Sequence, residues 1–212
     1  MLDLWFEKKI KPHIRGQAHI VRYADDYVCM VQYADDAEHI ERALRERFAK
    51  FDLELHPEKT RTISFGRYER ENADKQNRKA KTFNFLGFTH YCDKSLKGNF
   101  KVGRKTSQKK FRAKCKEMNI WLMKIRNCVK AKEWWPVLQA KLRGHYQYYG
   151  ISGNMLSLRR YYGRTIRMVY KWLNRRSQRK SFSWMSFCKY LERYPLPIPT
   201  IVHDFYMPSP VV

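Results

Sequence analysis

Two copies of Tyr-Ala-Asp-Asp, at Tyr23 to Asp26 and at Tyr33 to Asp36, place two pairs of carboxylates near the start of the chain. Adjacent carboxylates on a tight turn between apolar strands present hard oxygen donors, which suit Mg²⁺. Two such ions can drive phosphoryl transfer. Asp also favours hairpin turns for conformational reasons alone, so for Asp25 and Asp26 these four residues leave chemistry and plain turn both open.

The flanking residues separate the two copies. Ala18, Ile20 and Val21 precede the first and Val28, Cys29, Met30 and Val31 follow it, which predicts strand, turn, strand. The second copy runs into Ala37, Ile40, Leu44 and Phe48, spaced as on one face of a helix. Asp35 with Glu38 resembles the start of a capping box. Asp35 and Asp36 are therefore expected to satisfy free amide groups and complement the helix dipole.

The elements that must position these residues follow from the rest of the pattern. Leu2, Trp5, Phe6 and Ile10 have helical spacing, ended by Pro12. Ile20 to Val31 form the hairpin and Ala34 to Phe51 the amphipathic helix, while alternating apolar residues from Leu53 to Phe65 predict a strand. The polar stretch Gly66 to Lys81 reads as a loop, and the block Phe83 to Phe88 as a buried turn or strand pair around Gly87. From Ser107 three basic amphipathic helices follow, two of them separated at Gly150 and Gly153. The tail with Pro195, Pro197 and Pro199 is expected to be extended.

The 212 residues carry 44 Lys and Arg against 20 Asp and Glu, a formal charge of +24 that reads as spread along the chain rather than confined to a tail. Such an excess favours a polyanion, and 15% aromatic content interleaved with the basic residues suits stacking on bases. Nucleic acid is the expected partner; a basic surface serving solubility or anionic membranes is the alternative. Five cysteines without a Cys-x-x-Cys pair support neither a disulfide framework nor a structural zinc site. No apolar run reaches membrane-spanning length and no signal-peptide core opens the chain, so a cytoplasmic location and no membrane partner are expected.

Several of these blocks, in order, resemble the reverse transcriptase/maturase proteins encoded by group II introns. Arg22-Tyr23-Ala24-Asp25-Asp26-Tyr27-Val28 is similar to that family's palm hairpin, and Leu53 to Thr60 to the palm segment carrying a lysine, here Lys59. Phe85-Leu86-Gly87-Phe88 looks like the turn that grips the primer end, and Leu142-Arg143-Gly144-His145-Tyr146-Gln147-Tyr148-Tyr149-Gly150 like part of the thumb, or maturase domain. His145 stands where tryptophan is more usual.

The resemblance implies an α+β fold: a partial palm over residues 1–82, a primer-grip-like connection over 83–106, a helical thumb over 107–180 and an extension over 181–212. It implies Asp25 and Asp26 as Mg²⁺ ligands, Tyr23 and Ala24 at the nucleotide, and Lys59 either as proton donor to pyrophosphate or as an exposed strand-end lysine. It also implies Phe85, Leu86, Gly87, Arg143, Tyr146, Tyr148 and Tyr149 at nucleic acid, although most aromatics of the thumb block are expected to pack within the helices. The implied partners are intron RNA and a duplex of RNA template and DNA primer.

Polymerases of this family carry a further palm aspartate and a fingers region, and neither is recognisable before Tyr23. The expectation is therefore the C-terminal part of a polymerase, for which a missing N-terminal portion would be a partner. Three classes remain open: polymerase, non-catalytic RNA-binding splicing factor, and folded remnant.

Overall fold

The computed structural model describes residues 2–175 and 182–206. The chain divides into two compact units, residues 1–81 and 82–212.

In the first unit, a short helix α1 (Leu2–Trp5) continues through one π-helical stretch, Phe6–Ile10, into a 3₁₀ turn over Lys11–His13 that contains Pro12. Strands β1 (Ala18–Tyr23) and β2 (Asp26–Val31) pair antiparallel, with Ala18 opposite Val31 and Tyr23 opposite Asp26. Helix α2 spans Ala34–Ala49. Because side chains alternate along a strand, Ala18, Ile20, Tyr27, Cys29 and Val31 share one face of the hairpin. That face packs with Phe6, Ile10, Ile14, Ile40 and Leu44 into the core of this unit. Burial pushes the Cys29 thiol up to about 11, so it serves as an apolar side chain here.

Residues 53–65, expected as a strand, form turns and irregular chain. Alternation alone does not make a strand. Among the described residues the hairpin pairs only with itself, and no neighbouring strand is there to take the segment's amides. Within the stretch expected as a loop, Glu69–Lys75 forms helix α3. Its anchor is polar: Glu69 is 2% exposed, receives Arg78 Nη1 at 2.6 Å and Nη2 at 3.2 Å, and accepts the Lys81 amide at 3.0 Å. The Arg78 guanidinium holds the Glu69 carboxyl down at about 2.

The second unit opens with an antiparallel sheet of β3 (Phe83–Phe85), β4 (Phe88–Lys94) and β5 (Phe100–Thr106), in that order. The Tyr91 ring lies directly over its partner Gly103, where a Cβ would come within 2.4 Å of it. Helices α4 (Gln108–Ile125), α5 (Ala131–Tyr149) and α6 (Met155–Leu173) follow as the periodicity predicts. They enclose a core containing Leu122, Leu138, Leu142, Leu158 and Val169.

An additional helix, α7 (Trp184–Arg193), precedes the proline-containing tail. Ser183 Oγ accepts the Ser186 amide at its start, and Phe187 is fully buried. Beyond it the chain is extended and runs along α5, with Gln139 Nε2 donating to the Pro195 carbonyl and Tyr146 Oη to that of Pro197. The amides of Val202 and His203 both donate to the Gly150 carbonyl. Among the described residues no helix is long and apolar enough to cross a membrane, and all five cysteines are free thiols.

Candidate active-site hairpin and nucleic-acid interface

A two-residue loop, Ala24-Asp25, joins β1 to β2. Ala24 has φ +54°, in the left-handed region that costs an L-residue energy. Arg22 holds this conformation: its Nη1 donates to the Ala24 carbonyl at 3.0 Å, and its Nε donates to Asp3 Oδ1 at 2.9 Å. The pairing lowers the Asp3 pKa and raises that of Arg22. Arg22 and Asp3 were not singled out from the sequence; the signal available was an arginine directly before the acidic motif.

Tyr23, Ala24, Asp25 and Asp26 are all exposed. Tyr23 and Asp26 share the hairpin face that carries Val21 and Met30, opposite the packed face. The two carboxylates are of the right chemical type for a hard cation, but two carboxylates fall short of a complete donor set. Among the described residues no group of three or more His, Cys, Asp or Glu side chains could hold a metal. Lys59 sits in the turn His56–Thr60, whose amides 59 and 60 donate to the His56 carbonyl, and is exposed. The turn replaces the expected strand end.

The second Tyr-Ala-Asp-Asp begins α2, as its periodicity predicts, but no capping box forms: Tyr33 occupies the N-cap without a side-chain bond. Asp36, 7% exposed, accepts the amides of Arg15 and Gly16 at 3.3 and 3.4 Å. Asp35 pairs with the Arg15 guanidinium, which lies 3.9 Å over the Tyr33 ring. Asp36 does satisfy free amides, but those of the segment leading into β1 rather than those of its own helix, while Asp35 meets a side-chain cation. The second copy thus clamps the entry to the strand that carries the first.

In the second unit, Leu86 and Gly87 form the loop between β3 and β4, with φ of +49° and +80°. Two consecutive left-handed residues define the type I′ hairpin turn, which favours Asn-Gly. Leu86 therefore sits against its backbone preference, and two bonds hold the turn. Tyr148 Oη donates to the Leu86 carbonyl at 3.0 Å and the Ser107 amide to the Gly87 carbonyl at 2.9 Å. Leu86→Asn should raise stability by about 1 kcal/mol, read as an upward shift of the denaturation midpoint at unchanged slope. An unchanged or lowered midpoint would mean that the leucine side chain contributes more by packing than its backbone costs.

Tyr146 is 3% and Tyr149 5% exposed. Tyr149 packs edge-on against Phe88 at 5.5 Å, and neither ring offers a face to a base. Both belong to the core, because their helical phase follows Leu138 and Leu142. Tyr148 is 55% exposed and lies parallel to Phe88 at 6.1 Å, while Arg143 is exposed on the same helix. Phe85 is half-buried beside the turn. His145 takes an aromatic packing position, stacked on Tyr161 with ring centroids 3.7 Å apart.

The charge is not evenly spread. The first unit holds 17 Lys and Arg against 15 Asp and Glu, net +2, whereas the second holds 27 against 5, net +22. Composition along the chain hides this, because basic residues occur throughout and only the acidic ones are segregated.

A paired-aspartate hairpin beside a helix, followed by a strongly basic helical unit, is consistent with a partial polymerase palm and a helical bundle. Residues 4–90 match the family model described as reverse transcriptase (RNA-dependent DNA polymerase). The match covers β1, β2, α2 and α3 and extends through the Leu86-Gly87 turn into β4. No curated protein and no solved structure matches the chain.

Proposed function

We propose that this is a reverse transcriptase/maturase of the group II intron type, in which the second unit binds intron RNA. The observation that carries the RNA-binding part is the segregation of charge: +22 on the second unit against +2 on the first, which holds most of the reverse transcriptase match. In this reading Asp25 and Asp26 would contribute to holding Mg²⁺. Tyr23 and Ala24 lie beside the nucleotide, Lys59 near its leaving group, and Phe85, Leu86, Gly87, Arg143 and Tyr148 contact template and primer. The two-carboxylate donor set favours a narrower role for the chain by itself: binding and promoting the folding of RNA, without polymerisation.

The test is RNA titration over a range of salt. Counterion release from about six phosphate contacts lowers affinity by about 10³ between 50 and 200 mM salt. Asp25→Asn should leave this binding unchanged, whereas combined neutralisation of Arg159, Arg160 and Arg167 should weaken it and flatten the salt dependence. Binding indifferent to salt, or unaffected by the arginine substitutions, would remove the RNA-binding reading. Template-directed nucleotide incorporation by the chain alone, abolished by Asp25→Asn, would reject the narrower one.

A further inference from the structure

Helix α6 carries Arg159, Arg160, Arg164, Arg167 and Lys171 and no acidic residue at all. Its buried face is Leu158, Tyr161, Thr165, Ile166, Val169, Trp172 and Leu173, leaving the five cations exposed. None forms an ion pair among the described residues. Arg160 with Arg164 and Arg167 with Lys171 are four residues apart, a spacing at which like charges repel on a helix surface. Arg164 leans back over the Phe111 ring of α4 at 5.1 Å.

In the middle of this face stands Gly163, exposed, nine residues into a nineteen-residue helix. Glycine is among the least favourable residues for a helix interior, and the usual reasons to keep one do not apply. Among the described residues a Cβ added at Gly163 would meet nothing within 4 Å, so none of their elements needs the space, and its φ is not in the left-handed region. Helical geometry places Arg159 and Arg160 one turn before it and Arg167 one turn after. Two features that disfavour folding, a mid-helix glycine and a run of like charges, therefore coincide on one exposed face, where among the described residues nothing approaches Gly163.

We propose that Gly163 is the contact point at which the sugar-phosphate backbone of RNA lies directly on α6, with Arg159, Arg160 and Arg167 pairing with the phosphates on either side. A bound strand supplies both missing terms. Its phosphates relieve the repulsion among the arginines, and its ribose occupies the space a side chain would fill, so that close approach of a backbone explains the absence of a Cβ. The proposal deepens the RNA-binding reading and rests on it.

The test compares Gly163→Ala and Gly163→Leu with the parent chain in thermal unfolding and in anisotropy titrations of a fluorescein-labelled RNA hairpin. Helix propensity predicts that Gly163→Ala raises the Tm, by about 2–4 °C for a chain of this size. A site for close approach predicts the opposite sign in binding. Affinity should fall about tenfold for Gly163→Ala and further for Gly163→Leu, while Arg160→Ala and Arg167→Ala each reduce the salt slope by about one. A purely structural glycine would not combine greater stability with weaker binding.

If both Gly163 variants are more stable and bind the hairpin as the parent does, the proposal is wrong. It is equally wrong if they lose affinity for anionic vesicles while keeping that for RNA. If the parent chain does not bind the hairpin, the wider reading fails and takes the proposal with it. If the parent binds and only substitutions outside α6, such as Arg143→Ala, weaken it, the proposal fails alone.

Discussion

Gly150→Ala should destabilise the second unit by about 3 kcal/mol and lower the Tm by about 10 °C. Gly150 closes α5, its amide donating to the Tyr146 carbonyl at 2.7 Å. A Cβ there would stand 2.2 Å from that same carbonyl oxygen and 2.9 Å from the Thr200 carbonyl oxygen. Both obstacles are backbone atoms, which cannot rotate away as a side-chain end can. Accommodating a methyl group requires either the end of α5 or the strap over it to move. Movement of the strap breaks the bonds from Val202 and His203 to the Gly150 carbonyl, and with them the bridge between Ile151 and His203. The φ of −78° at Gly150 is open to any residue, so the effect is one of space and not of backbone preference. Denaturation and limited proteolysis read the two parts of the prediction, with cleavage after Arg193 expected to accelerate. An unchanged Tm with an unchanged digestion pattern would show that the chain end relaxes freely around the methyl group.

Acidification should destabilise the second unit through His145 before it touches the anchor of α3 in the first. His145 is 8% exposed, stacked on Tyr161 and against Tyr149 and Tyr146. Burial among these rings, and secondarily the Lys114 ammonium of α4, push its pKa down to about 4. An unfolded histidine titrates near 6.5. Between those values the unfolded chain binds a proton that the folded one refuses, so stability rises with pH across the window. It falls as pH drops from about 6.5 toward about 4, by about 3 kcal/mol in total. For Glu69, with its folded pKa about 2, the stabilisation is full above about 4.5 and is lost as pH falls from there toward 2. Replacing His145 with Phe keeps the stacking and removes the proton site. Its denaturation midpoint should then decline less from pH 7 to about 5 than that of the parent chain, the remaining slope coming from His90, whose pKa burial also lowers. Parallel declines in the two proteins would place the sensitivity elsewhere.

Much of the architecture was legible in the sequence, for a reason visible in particular elements. The β1–β2 hairpin, α2 and the three long helices α4, α5 and α6 carry their own periodicity, two for the strands and near 3.6 for the helices. Each buries one face, so local pattern and final environment agree. The elements that were not read correctly depend on partners. The segment 53–65 has the alternation of a strand and no strand beside it. Helix α3 has the composition of a loop and is held by the Glu69–Arg78 pair, which no local pattern announces. Helix α7 lies just before the proline tail, which is extended as expected, and was not anticipated. Strand β5 lies in what looked like a connection, and its Gly103 is explained only by the Tyr91 ring above it.

The candidate site divides in the same way. Sequence alone put Asp25 and Asp26 at a hairpin turn and Asp35 and Asp36 at a helix start, because the flanking apolar spacing differs between the two copies of the motif. It also determined a strong excess of positive charge. Only the tertiary structure decided what each group faces: that Asp36 clamps the amides of residues 15 and 16, that Arg22 ties the turn at Ala24 to Asp3, and that Tyr146 and Tyr149 are core while Tyr148 is not. The same distinction applies to charge and to glycine, since composition counts basic residues but folding assigns nearly all the excess to one unit. A mid-helix glycine in a sequence reads only as a weak position, and the empty space around Gly163 appears once its neighbours are in place. Periodicity is a property of one segment and survives in the sequence; contact, burial and empty space belong to pairs of segments, and exist only when the chain has brought them together.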